Sequence, residues 1–311
     1  MAAPRGGDET GPPRVAQAKQ LNEAMALQKV LVTGSAGFIG MHTALALQKQ
    51  GYAVTGLDNL NTYYSVDLKL ARLKEQGIET PKIQYNRLLP GSENLEFIQL
   101  DLADSHLVEE LFAEKKFDYV VHLAAHAGVR YSIENPHAYI DANVKGFLDI
   151  LEASRKFGVQ HLVYASSSSV YGMNEQVPFR ESDQTDRQVS LYAATKKANE
   201  AMAHSYAAVH KLKLTGLRFF TVYGPYGRPD MAPFKFTRRV LQGEPIDVYN
   251  HGNLSRDFTY IDDIVAGVTG IVPFAPEGEL PYAIYNIGRG EPVQLMDFIS
   301  SVEEACGQEA I

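Results

Sequence analysis

The sequence predicts an α/β fold: a doubly wound parallel sheet with a smaller, interleaved C-terminal lobe. Three observations predict it. Short apolar runs alternate with amphipathic stretches from Lys29 to about residue 220. A glycine-rich turn directly follows the first run. After Thr221 the rhythm breaks, as Pro225, Pro229, Pro233, Pro245 and several glycines divide the chain into shorter pieces.

The elements follow in order. Strands are predicted over 29–33, 53–57, 95–99, 119–123, 161–165 and 215–219, and helices over 38–50, 66–76, 105–115, 137–157 and 191–210. Such alternation puts helices on both faces of a parallel sheet. Residues 81–94 read as a polar surface loop. Residues 1–28, rich in Gly and Pro, have the composition of a flexible tail that could hold a short helix over 17–25, and their composition points to no particular role.

Composition narrows the function class. The chain has 311 residues, 45% of them hydrophobic, enough for a sizeable core. Its net charge of −8 comes from acids and bases mixed along the chain, which argues against a nucleic-acid surface or a polybasic membrane patch. The single Cys306 excludes an internal disulfide and fits a reducing, cytoplasmic compartment. No apolar run approaches the ~18 residues of a membrane span, and no secretory apolar segment precedes the first strand. No metal is expected.

The turn Gly34-Ser-Ala-Gly37-Phe38-Ile39-Gly40 carries the first chemistry. Gly34 permits the tight turn, Gly37 lets backbone approach a pyrophosphate, and Gly40 lets the helix pack closely, with its N-terminus facing the anion. The second strand ends in Asp58, 18 residues past Gly40, where an acid meets an adenosine ribose. Strand, glycine turn, helix, strand and acid together make a Rossmann-type dinucleotide site. Asp58 repels a 2′-phosphate, so the cofactor expected is NAD rather than NADP.

Tyr192 and Lys196 stand four apart on one predicted helix face. There an ammonium favours the phenolate, which otherwise forms only near pH ~10. Ser166-Ser167-Ser168-Ser169 lies at the end of the preceding strand, and a serine hydroxyl from it completes a proton-transfer site. Alone, Tyr-x-x-x-Lys is also what a core aromatic and a solvated lysine produce; the upstream dinucleotide site gives it meaning.

With these motifs in hand, the chain resembles an extended short-chain dehydrogenase/reductase of the nucleotide-sugar epimerase branch. The resemblance runs from Gly34 to about Gly290 and includes Asp101-Leu102, His122-Leu-Ala-Ala125, Asn143, Ser166 to Gly172, Arg218-Phe-Phe-Thr221 and Ser255-Arg256-Asp257-Phe258. Within the branch it is most similar to UDP-glucuronate 4-epimerases, through Asp58-Asn-Leu-Asn-Thr-Tyr-Tyr64, Leu68-Lys-Leu-Ala-Arg72 and Ala127-Gly-Val-Arg-Tyr-Ser-Ile-Glu-Asn-Pro136.

The resemblance implies a mainly NAD-binding domain over 29–220 and a mainly UDP-sugar lobe over 221–311. It implies NAD contacts from Gly34, Gly37, Phe38, Ile39, Gly40, Asp58, Asn59, Asp101, Leu102, Ala124, Ala125, Asn143 (a structural asparagine of the long helix), Ser166, Tyr192 and Lys196. Tyr192, Lys196 and Ser167 would be catalytic. Asp101 and Leu102 would end the third strand. Arg256 would pair with the pyrophosphate of the sugar nucleotide, and Arg228 would sit on the substrate side. The reaction implied is 4-epimerisation by transient oxidation at C4, with no net redox change. A homodimer through helices 137–157 and 191–210 is also implied.

Substrate choice rests on small hydroxyls. Sister decarboxylases and dehydratases carry an acid just before Val-Tyr-Gly, where this chain has Ser169; neutral-sugar 4-epimerases carry Asn where this chain has Thr221. Ser168, Ser169 and Thr221 are therefore expected to hold a sugar carboxylate. The alternatives are a UDP-glucuronate decarboxylase, another UDP-sugar 4-epimerase or dehydratase, and a non-catalytic NAD-sensing regulator. Family members usually continue past the point where this chain stops, so a truncated substrate lobe is expected.

Overall fold

The computed structural model describes residues 27–311. The expected tail, apart from Leu27 and Gln28, and the helix at 17–25 lie outside the described residues.

Among the described residues the main sheet has eight strands: β1 (Lys29–Thr33), β2 (Ala53–Asp58), β3 (Leu88–Pro90), β4 (Leu95–Gln99), β5 (Tyr119–His122), β6 (His161–Ser167), β7 (Leu214–Phe219) and β10 (Tyr282–Ile287). Their order across the sheet is β10-β7-β6-β5-β1-β2-β4-β3, and every pairing is parallel except β3 with β4. Side chains alternate through the sheet. Val30 and Val32 of β1 join a core with Ala44 and Leu47 of α1 (Phe38–Lys49) and with Ile264 and Val268 of α9 (Ile261–Ile271). Leu31 faces the other way, into a core with Leu111 of α3 (Ser105–Lys115), Ile150 of α6 (Gly146–Phe157) and Ala203 of α7 (Leu191–His210). The chain moves outward in both directions from β1. The C-terminal ends of β1 and β5 therefore form the crevice where an open α/β sheet binds ligands.

A second, three-stranded sheet, ordered β11-β9-β8, comes from β8 (Thr221–Tyr223), β9 (Ser255–Tyr260) and β11 (Pro292–Gln294). Beside it α8 (Ala232–Gln242) and α10 (Leu295–Cys306) bury Phe236, Val240, Ile299 and Val302 together. The same stretch of chain returns α9 and β10 to the main sheet, so the two layers interleave.

Three expectations need correction. The 81–94 segment begins within a 3-10 turn, Thr80–Lys82, and contains the antiparallel edge strand β3, whose Leu89 is buried. Asp101 and Leu102 do not end a strand; β4 stops at Gln99 and they follow it. The helix over 137–157 is present but not uniformly α: it runs from α5 (Pro136–Tyr139) through a π-helical stretch at Ile140–Lys145 into α6. The wider turn turns Asn143 toward the backbone of His126, where its amide makes two hydrogen bonds.

Candidate active site

The glycine turn closes over the end of β1. Gly34 has φ +75, and a Cβ there would meet the Ala124 amide nitrogen at 2.8 Å; a Cβ on Gly40 would lie 2.0 Å from the Gly34 carbonyl oxygen. Neither position admits a side chain. The α1 N-terminus is capped by Gly37, without a side-chain cap and without an acid in its first turn. Its first amides thus remain available to an anion.

Around this turn lies a cleft lined by Gly34, Gly37, Asp58, Asn59, Lys69, Asp101, Leu102, Ala124 and Ala125. Asp58 is buried and accepts a hydrogen bond from the Leu60 amide at 2.8 Å. Asn59 donates to Asp101 at 2.9 Å, which fixes both side chains. Lys69 is not among the residues expected at the site. It is buried, stands 3.8 Å from Asp58 Oδ1 and donates to Asn61 at 2.9 Å. Burial pushes its ammonium down, the Asp58 charge pulls it up, and Arg72 pushes it down again. Lys69 and Arg72 are three apart on α2 (Val66–Glu75) and so share one helix face; that spacing was the available signal. His126 also lines the cleft, and among the described residues its buried Nδ1 has no partner. A turn with no room for side chains, an uncapped helix start and a buried acid at the end of β2 fit a dinucleotide with an anionic centre and a ribose diol.

A second cavity, of about 340 Å³, opens from the same turn. Its lining brings together Gly34, Gly37, Phe38, Ile39, Gly40, Ala125, Ser166, Ser167, Ser168, Ser169, Tyr192, Lys196, Thr221 and Arg228. Ser167 closes β6, and its Oγ accepts from the Ser169 amide at 3.1 Å, which starts the following 3-10 turn, Ser168–Tyr171. The Ser190 hydroxyl caps α7 by accepting from the Ala193 amide, and Tyr192 and Lys196 then follow on the first turns. Burial raises the Tyr192 phenol above its ordinary value, while the Ser167 hydroxyl and the Arg228 charge act to lower it. Lys196 is buried and donates to the Ala165 carbonyl at 2.9 Å; burial pushes it down to about 8. Arg228 is thus a further cation acting on the phenol.

Arg228 donates through Nε and Nη2 to Asp230, at 3.0 and 2.5 Å, and through Nη2 to the Ala127 carbonyl at 3.3 Å. Its guanidinium lies over the Tyr63 ring, and Tyr63 in turn donates to Asp230 at 3.0 Å. Two expected cofactor contacts spend their side chains on the protein. Ser166 donates to Glu200 at 2.7 Å, within a buried pair where Arg218 bonds both Glu200 oxygens. The Asn143 amide is spent on His126 and on Thr195. Ser166 meets the cavity only with the rest of the residue, and Asn143 braces the loop behind Ala125.

A third cavity shares Thr221 and Met231 with the second and is lined by Arg130, Lys235, Arg239, Tyr249 and Arg256. Arg256 is exposed and donates to its neighbour's carbonyl at 2.8 Å. Asp257, next to it in sequence, accepts from the Arg289 and Gly290 amides. Among the described residues, no three His, Cys, Asp or Glu side chains cluster as a metal site, and no helix is long and apolar enough to cross a membrane.

The sequence profile of the NAD dependent epimerase/dehydratase family matches residues 30–288. The chain belongs to that family. Protein CapI of Staphylococcus aureus is 51% identical over 296 residues, covering 91% of this chain and 84% of the relative. UDP-glucuronate 4-epimerase 1 of Arabidopsis thaliana is 48% identical over 288 residues, covering 88% of this chain and 64% of that protein. Among solved structures, the UDP-glucuronic acid 4-epimerase of Bacillus cereus, in complex with UDP-glucuronic acid and NAD, superposes with a TM-score of 0.79 at 30% identity, covering 91% of this chain and 84% of that one. The Rossmann-type fold and the NAD dependence of the family are thereby settled for this member.

Proposed function

We propose that this family member interconverts UDP-glucuronate and UDP-galacturonate by inverting the sugar's C4 centre. One observation carries the reading: Tyr192, Ser167 and Lys196 share a cavity with three further hydroxyls, Ser168, Ser169 and Thr221, and with Arg228. That set offers a base for a sugar hydroxyl and several donors for a sugar carboxylate. The similarity to named UDP-glucuronate 4-epimerases supports the same choice.

Bound NAD supplies a hydride acceptor and donor for C4. The chain's residues handle the proton and the orientation. Tyr192 takes the proton of the 4-hydroxyl as phenolate and returns it to the new alcohol, and the Ser167 hydroxyl shares that hydrogen bond. The Arg228 charge offsets part of the burial cost of the phenolate. Lys196, anchored on Ala165, lines the same cavity and keeps two N–H donors for the cofactor. Gly34, Gly37 and the α1 N-terminus hold the pyrophosphate of the cofactor, and Asp58 its adenosine ribose.

The 4-keto form of the sugar is a β-keto acid and loses carbon dioxide readily. Ser168, Ser169 and Thr221 hold its carboxylate by hydrogen bonding, without a full countercharge. This grip keeps the C–C bond out of line with the carbonyl π system. The diphosphate and uridine lie in the neighbouring basic cavity, with Arg256 as the exposed donor, so residues 221–311 serve mainly the sugar nucleotide. Incubation with UDP-glucuronate, with products resolved by NMR, tests the proposal.

A further inference from the structure

Arg72 takes no part in the chemistry above, yet it is the largest fully buried side chain. Among the described residues its five hydrogen bonds reach four oxygens, none of them a carboxylate. They are the carbonyls of Ala36 (3.1 Å), Tyr226 (2.7 and 3.1 Å) and Gly227 (3.4 Å), and the Tyr64 hydroxyl (2.5 Å). A buried guanidinium without a carboxylate is costly, and apolar packing would fill the space at lower cost. With no exposed surface it touches no ligand. What it does is join three separate segments: the glycine turn, the loop before α2, and the loop after β8.

The last of these segments is strained. Tyr226 has φ +59, a left-handed conformation that a bulky L residue rarely adopts. The side chains of α2 hold it at both ends. Arg72 takes its carbonyl, and the Glu75 carboxylate accepts a hydrogen bond from its phenol at 2.7 Å. Two residues later comes Arg228, which lines the sugar cavity.

We propose that Arg72, assisted by Glu75, is a positioning residue: α2 holds Tyr226 in its left-handed conformation and thereby sets Arg228 in the cavity that contains Tyr192. The glycine turn and the sugar cavity are thus braced by one side chain. The inference rests on the proposed function only in taking Arg228 as part of the sugar site.

The test starts with hydrogen exchange and needs no substrate. The Gly227 and Met231 amides donate to the Gly224 and Arg228 carbonyls within this loop, so both report on it. In Arg72→Met these amides are expected to exchange roughly tenfold faster or more, because local opening loses its brace. Arg72→Lys keeps the charge, but one ammonium cannot bridge three segments, and exchange should also quicken. The second readout is the pH–rate profile with UDP-glucuronate. In Arg72→Met the limb set by Tyr192 should move to higher pH, as in Arg228→Met. Adding Tyr226→Gly, which adopts the positive φ without strain, should move it back. A merely structural role lowers thermal stability and leaves the limb in place. Wild-type exchange at Gly227 and Met231 in folded Arg72→Met overturns the proposal, as does an unmoved limb. Should Arg72→Met fail to fold, wild-type exchange in Arg72→Lys overturns it. Absence of turnover with UDP-glucuronate would count against the proposed substrate and leave the exchange result standing.

Discussion

At the scale of single residues, two lysines carry unusual burdens. Lys196 is buried and held down to about 8, against 10.5 when free. Below pH 8 the folded and unfolded chains both bind the proton, and the fold bears the whole cost of burying a charge. Between pH 8 and 10.5 the unfolded chain binds more protons, so this group's contribution to stability rises with pH. A window of about 2.5 pH units at ~1.4 kcal/mol per unit is worth about 3 kcal/mol. Lys196→Met removes the ionisable group. Its stability relative to wild type should therefore be greatest at neutral pH and should fall by about 3 kcal/mol by pH 10.5. Urea unfolding of both proteins at pH 7 and pH 10 checks this; a gap independent of pH contradicts it. Lys69 bears on cofactor choice. We propose that Asp58 faces the cofactor ribose; it would then repel a 2′-phosphate, and the Lys69 ammonium 3.8 Å away would offset part of that field. Charges at such distances interact by ~1–4 kcal/mol, depending on hydration. Asp58→Ala should narrow the preference for NADH over NADPH in a fluorescence titration, and Lys69→Met should widen it. Equal wild-type affinity for both would remove the role given to Asp58.

At the scale of elements, legibility followed the physics of each segment. β1, the glycine turn and α1 were readable because strand, turn and helix each carry a local signal, and Gly34 and Gly40 stand where no Cβ fits. Tyr192 and Lys196 were readable from one helical spacing. β3 was not, since a three-residue edge strand in a polar stretch has no periodicity to detect. Nor was the destination of β10, whose partly buried residues pair with β7 only through the tertiary fold. The π-helical stretch was hidden because its register answers to the His126 backbone, not to its own sequence. Arg72 and Lys69 were visible as residues, but their partners lie on segments far away in sequence. This helix with its π-helical stretch matters for assembly. Ile140 and Leu148 stay exposed along it, at 44% and 39%. We propose that this stretch and α7 pair with a second copy. Sedimentation at micromolar concentration should give a dimer, and Leu148→Glu should shift it toward monomer; a wild-type monomer rejects the pairing.

At the scale of the whole molecule, interleaving joins two kinds of site. The main sheet holds the glycine turn and its buried acid, and the three-stranded sheet and its helices hold the basic cavity. Thr221 stands on β8, at the passage where the sugar cavity and the basic cavity meet. Its hydroxyl therefore bears directly on the central claim, that hydroxyls grip a sugar carboxylate while Tyr192 moves the proton of the 4-hydroxyl. The most direct test is NMR product analysis of wild type and Thr221→Ala, each given UDP-glucuronate and UDP-glucose. Wild type should yield UDP-galacturonate without carbon dioxide or net NADH. Thr221→Ala should bind UDP-glucuronate more weakly by ~0.5–3 kcal/mol, the worth of one hydrogen bond to a charged group. It should also release UDP-pentose beside the epimer, and its handling of UDP-glucose should change little. Equal losses for both sugars with no pentose would contradict the carboxylate grip, and carbon dioxide from the wild type would contradict the epimerase reading itself.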